Sequence, residues 1–197
     1  MIKKIMLLCI ACIANPVNAA TINFDNLADS TSVTNQFSGL SFQNATILTS
    51  GISLNEFEFP PHSGDNVVFD DNGPLTIAFT TPVISVDGYL TYLTTLNLDA
   101  YDLSNTLVTS ISSAFFSNLA LSGDTGSSPN ELLSLSYVGG ISRLVITGDT
   151  LGSSFTLDDL TVSYRDESPI PEPGSLALFC IGAFSLRLRH SRRSSRN

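Results

Sequence analysis

The chain contains no tryptophan, and its three cysteines, Cys9, Cys12 and Cys180, all fall near its ends. Lysine is confined to Lys3 and Lys4, and between residues 20 and 166 there is one histidine, His62. Each absence removes a chemistry from that central stretch. Without lysine there is no Schiff base, and without cysteine no thiol nucleophile. One histidine cannot build a zinc site of His and Cys ligands. A Ser-His-Asp triad would have to use His62, which sits in "FPPHSGDN", a loop with no nucleophile elbow nearby. With no disulfide framework the core must hold the fold alone, which about 150 residues can do. Paired carboxylates still leave a glycosidase-like hydrolase open. The absence of tryptophan leaves tyrosine as the aromatic surface for a sugar.

Positive charge is equally scarce. All 18 acids lie between Asp25 and Glu172, where the only bases are Arg143 and Arg165. Such a domain repels phosphate backbones, which excludes nucleic acid as a partner. Acidity favours solubility and cations instead. The remaining bases sit at the extremities, and both extremities read as targeting segments.

At the front, Lys3 and Lys4 precede the apolar run "IMLLCIACIA". "NPVNA" then supplies a helix breaker and small residues, with Val17 and Ala19 at the −3 and −1 positions of a cut after Ala19. The run is too short for a membrane-spanning helix. Residues 1–19 are therefore expected to be a signal peptide handled by the secretion machinery, residues 20–166 a folded domain, and residues 167–197 a sorting segment.

That last segment opens with Pro171-Glu172-Pro173, where the prolines keep the chain extended. An uncharged, mostly apolar run follows over residues 174–186, then Arg187, Arg189, Arg192, Arg193 and Arg196. As a helix the run reaches about 20 Å, short of a hydrocarbon core of about 30 Å. It is expected to be a short hydrophobic anchor helix that serves as a temporary membrane handle. The arginines stay on the cytoplasmic side, so the domain faces outward. The three parts in order resemble the PEP-CTERM sorting signal of exported bacterial proteins. The resemblance implies an exosortase partner that cleaves near Pro-Glu-Pro, a Gram-negative bacterium, and an extracellular polysaccharide in the surroundings.

Between the targeting segments, short β-type runs alternate with turn clusters. They are "TINF", "LSFQNATIL", "NVVF", "LTIAF", "VISVDGYLTYL", "LNLDAY", "TLVTSI", "LLSLSY", "SRLVIT" and "FTLDDLTVSY". Period-two alternation puts Leu75, Ile77 and Phe79 on one side, and likewise Leu132, Leu135 and Tyr137 through a register break. The twelve phenylalanines read mostly as core. No segment carries a convincing helical stripe, so the fold class is all-β, a jelly-roll-like β-sandwich. A tight turn at Thr94-Thr95 would mix apolar and polar partners across the flanking strands. Those strands therefore meet through a bulge or belong to different sheets. The pieces "FDNL", "FSGLSFQNA", "GPLTIAFTTPVISVDGYL" and "ISRLVITG…FTLDDLTV" resemble the domain often found ahead of this sorting signal. That domain is similar to carbohydrate-binding-module and galactose-binding sandwiches.

Three sites follow as expectations. Adjacent first and last strands would bring Asp25 near Asp158 and Asp159, where a structural calcium would find oxygen ligands. A solvated acidic strand end is the simpler alternative there. Alternation allows only one of Asp158 and Asp159 to point with the core. Tyr89 and Tyr101 are the candidate glycan-binding aromatics, against the alternative of plain packing. "DDNGP" at residues 70–74 reads as a turn, and "NAT" at Asn44–Thr46 matches a glycosylation acceptor. The expected function is an exported, non-enzymatic protein of the cell envelope or extracellular matrix, processed through its C-terminal signal. A carbohydrate-binding module attached to exopolysaccharide is the alternative, and a carboxylate-based hydrolase the third.

Overall fold

The computed structural model describes residues 17–165, and the sorting-signal residues and most of the expected leader lie outside them. Nine strands form the domain, and among the described residues there is no helix. They are β1 (Val17–Ile22), β2 (Leu40–Gln43), β3 (Ala45–Thr49), β4 (Asn66–Asp70), β5 (Leu75–Tyr92), β6 (Asn97–Tyr101), β7 (Leu107–Ser112), β8 (Glu131–Thr147) and β9 (Phe155–Arg165). The ladder runs β3-β4-β9-β5-β8-β6-β7, with β1 on β9 and β2 on β5. Every pairing of these strands is antiparallel.

Two strands are longer than their sequence pattern suggests. "LTIAF" and "VISVDGYLTYL" are one strand, β5, and "LLSLSY" and "SRLVIT" are one strand, β8. Thr80-Thr81-Pro82 in β5 and Gly139-Gly140 in β8 interrupt the apolar pattern where the two strands change neighbours. The first half of β5 pairs with β2 and β8, whereas its second half pairs with β9 and β8. Register shifts between Ala78 and Ser85 accompany the change. Bulges of this kind bend a strand, and here they fold the ladder into two layers. One layer holds β2, the start of β5, the end of β8, β6 and β7. The other holds β3, β4, β1, β9, the end of β5 and the start of β8. Of the two readings of the Thr94-Thr95 mismatch, pairing through a bulge does not occur: β5 and β6 do not pair, and β6 lies between β7 and β8.

The inner faces meet in a dry core. Leu98, Leu144 and Ile146 from the first layer and Val86, Leu90, Leu133, Leu157 and Leu160 from the second line one void of only about 10 Å³. Gly88 lets the layers approach, since a Cβ there would stand 2.6 Å from the Leu157 side chain. Leu75, Ile77 and Phe79 all point inward. On β8, strict alternation buries Leu133 and Leu135, so Leu132 points outward and is 53% exposed, contrary to the pattern read from the sequence. Phenylalanine is less uniformly buried than its apolarity suggests. Phe24, Phe42, Phe79 and Phe155 are core, while Phe57 and Phe116 are exposed on loops.

The chain enters and leaves the domain at one place. In the β1–β9 register Val17 faces Arg165 and Ala19 faces Ser163. The expected cut after Ala19 would remove Val17–Ala19 and leave Ala20, Thr21 and Ile22 of the strand. Ile22 packs on the core, and the Thr21 and Thr161 hydroxyls lie 2.7 Å apart.

Candidate functional site

The acids expected to share a cation do come to one loop, residues 60–66, but in the role of struts. The register between β5 and β9 passes from Asp87↔Thr161 to Tyr89↔Asp158, so β9 carries one extra residue. That bulge is Asp159, whose φ of 46° breaks the alternation. Both Asp158 and Asp159 therefore turn toward the same loop, where a regular strand would have sent them to opposite faces. One Asp158 oxygen accepts the backbone N–H groups of His62 and Ser63, each at 2.8 Å, and the other accepts that of Asp159 at 2.7 Å. Asp158 is 1% exposed, and burial pushes its carboxyl up to about 6 against the pull of those donors. Asp159 binds the His62 ring at 2.6 Å and accepts the Ser63 hydroxyl at 2.9 Å. Asp25 anchors the far side of the loop, accepting the N–H groups of Asp65 at 3.0 Å and Asn66 at 3.1 Å.

A serine, a histidine and an aspartate thus meet at this loop, yet they are not wired as a nucleophilic relay. The Ser63 hydroxyl donates to Asp159 instead of to His62. The His62 ring lies flat on Tyr89, with centroids 3.4 Å apart and planes 9° from parallel. Nucleophile-to-base contact, the first requirement of a triad, is missing. Among the described residues, no group of three or more His, Cys, Asp or Glu side chains converges on a common point.

Tyr89 and Tyr101 cannot form one sugar platform, because they stand on opposite outer faces of the sandwich. Their sequence neighbours Leu90 and Ala100 point into the core from different layers. Each ring is also covered on one side, Tyr89 by His62 and Tyr101 by the Arg143 guanidinium 3.9 Å from its centroid. Arg143 is held there by a hydrogen bond to the Asn105 side chain.

An open, polar cleft of about 320 Å³ lies elsewhere, where sequence reading saw only a turn and an acceptor motif. It forms between the segment 32–34, the β2–β3 turn at Asn44 and the β4–β5 turn at Asp71–Pro74. Segment 31–34 stitches the two layers together: Phe42 donates to the Thr34 carbonyl at 2.7 Å, and Val33 to that of Ala45 at 2.8 Å. Asn44 and Asn72 take left-handed backbone angles, φ 58° and 66°, which asparagine tolerates. Asp71 projects into the cleft, accepting the Thr46 hydroxyl at 3.0 Å and the Asn72 amide at 2.7 Å. Behind it, buried Asp70 accepts the N–H groups of Ser154 and Phe155, and burial raises its pKa. The signal that could have found the cleft was the pair "NAT" and "DDNGP", polar turn clusters at the ends of strands that come together only through β3–β4 and β2–β5 pairing.

Comparison with known proteins addresses the terminus and the domain separately. Residues 169–193 match the PEP-CTERM protein-sorting motif. The chain is accordingly an exported protein, sorted to the cell envelope or surface and processed by an exosortase. No curated protein matches the chain. Among solved structures, the K2 cleaved adhesin domain of Lys-gingipain is similar at 14% identity, over 74% of this chain and 99% of that one, with a TM-score of 0.46. A family 29 carbohydrate-binding module variant is similar at 10% identity, over 80% of this chain and 99% of that one, with a TM-score of 0.41. A family 6 module from Clostridium stercorarium, solved with cellobiose, shares 14% identity over 68% of this chain and 92% of that one, with a TM-score of 0.35. At such distances no residue role is carried over from them.

Proposed function

We propose that the protein is a non-enzymatic module, delivered through its sorting signal and then displayed on the surface or released into an exopolysaccharide matrix. The observation that carries this reading is the motif at residues 169–193 joined to an acidic, cysteine-free sandwich. Support for a non-catalytic role comes from His62, Ser63 and Asp159, whose mutual bonds hold a loop down and present no activated nucleophile. The C-terminal apolar run acts as the membrane handle until the exosortase cuts near Pro171-Glu172-Pro173.

Deleting residues 171–197 tests the reading. Loss of surface retention, with export intact, is the expected result; unchanged retention overturns it. Hydrolysis of a polysaccharide by the purified secreted product would move the assignment to the carboxylate-based hydrolase. Calcium at Asp25, Asp158 and Asp159 would compete with the donors those carboxylates already hold. A thermal midpoint unmoved by chelator removes calcium from the account, and a lowered midpoint restores it.

A further inference from the structure

We infer that the cleft around Asp71 is a binding site for a neutral sugar unit of an extracellular polysaccharide. This rests on the matrix-module reading and gives it a contact point. The volume, about 320 Å³, suits a mono- or disaccharide. The chemistry suits a polyol. Asp71 offers carboxylate acceptors fixed in direction by Thr46 and Asn72, so little side-chain freedom is lost when a hydroxyl pair docks. The exposed Gln43 also lines the cleft, and its amide adds both a donor and an acceptor. Behind these polar groups Val33, Phe42 and Ala45 are buried in the core, so what the cleft offers a sugar is hydrogen-bond partners for its hydroxyls.

The turn that carries Asp71 is rigid. Asp71 N–H donates to the Asn44 carbonyl at 3.0 Å, and Ser153 N–H to that of Asp70 at 2.6 Å. Gly152 packs so closely behind it that a Cβ would stand 2.5 Å from the Gly73 nitrogen. A site built on a fixed turn and paired strands holds its geometry without the ligand. Charge sets the class of sugar. No lysine or arginine lines the cleft, and Asp71 faces into it, so a uronate or sulfated residue meets repulsion while a neutral residue does not.

The test uses the secreted product and four probes by titration calorimetry: cellotetraose, mannotetraose, a galactose tetramer and a tetrameric uronate. At least one neutral tetramer is expected to bind, and the uronate to fail. Asp71→Asn is expected to weaken that binding roughly tenfold, as loss of a charge-assisted hydrogen bond does. Gln43→Ala, at an exposed position where folding is not at stake, is expected to weaken it about fivefold. Binding by none of the four, preference for the uronate, or full affinity in Gln43→Ala overturns the site. Export and surface retention are measured separately, so a failed titration beside normal retention rejects the cleft and leaves the module reading standing.

Discussion

The loop over Tyr89 and the cleft at Asp71 are made of the same materials, aspartates beside turns rich in Ser, Asn and Gly, and they do opposite things. At the loop, buried Asp158 accepts N–H groups on both oxygens, and Asp159 and the exposed Asp25 hold further groups of residues 62–66, so the result is a strap. At the cleft, Asp71 is held by two neighbours but keeps accepting capacity toward open space. A cluster of carboxylates is therefore not evidence of a ligand; what matters is whether the acids face a packed loop or open space. Acids whose partners all come from one packed loop build structure, and an acid oriented at the edge of an open cleft builds a surface that can recognise a partner.

The largest blow to the strap side of this contrast is Asp158→Ala. It strands the N–H groups of His62, Ser63 and Asp159, and is expected to cost roughly 4 kcal/mol. Urea denaturation measures the loss, and hydrogen exchange should show His62 and Ser63 amides deprotected while the Asp71 turn stays protected. Equal deprotection of both regions would erase the distinction.

Acidity offers a subtler probe. Asp158 titrates at about 6 in the folded chain against 3.8 normally, so the folded state binds the extra proton in that interval. Stability from this group is therefore highest below about pH 4 and falls as pH rises to about 6, by about 3 kcal/mol. Asp70 contributes with the same sign, since burial raises its pKa too. Asp158→Asn removes the Asp158 part. Wild type should gain on this variant when denaturation is measured at pH 4.5 rather than pH 7, and a constant difference would refute the assignment.

On the cleft side, Gly152→Ala places a side chain at φ 83° against the Asp71–Gly73 turn. A loss of about 2 kcal/mol in thermal denaturation is expected, together with loss of neutral-sugar binding. The strap should be unaffected. Smallest is Thr46→Val, which removes one hydroxyl from Asp71 and should weaken sugar binding by about 1 kcal/mol with little change in midpoint. If affinity is unchanged, Asp71 is not oriented by its partner and the contrast loses its cleft half.

Much of the molecule was legible without coordinates. Alternation at Leu75, Ile77 and Phe79 and the density of turn residues identified an all-β sandwich. The mismatch at Thr94-Thr95 marked the β5–β6 connection as irregular without deciding between a bulge and separate sheets, and the ordered features from Pro171 to Arg193 identified the sorting signal. What misled was locally reasonable. Thr80, Thr81 and Pro82 look like an interruption, yet β5 continues through them because it is changing neighbours. Tyr89 and Tyr101 look like a pair because they are near in sequence, but they are carried to opposite faces.

The amino-acid sequence by itself determined where this protein goes and what kind of fold it takes, because signal segments and strand periodicity are written in residues close together along the chain. Only the tertiary structure decided which acids are struts and which face a cleft. Asp158 meets His62, and Asp71 meets Thr46, through pairings between distant strands and a one-residue bulge, and no short-range pattern encodes whether a carboxylate's lone pairs will already be taken.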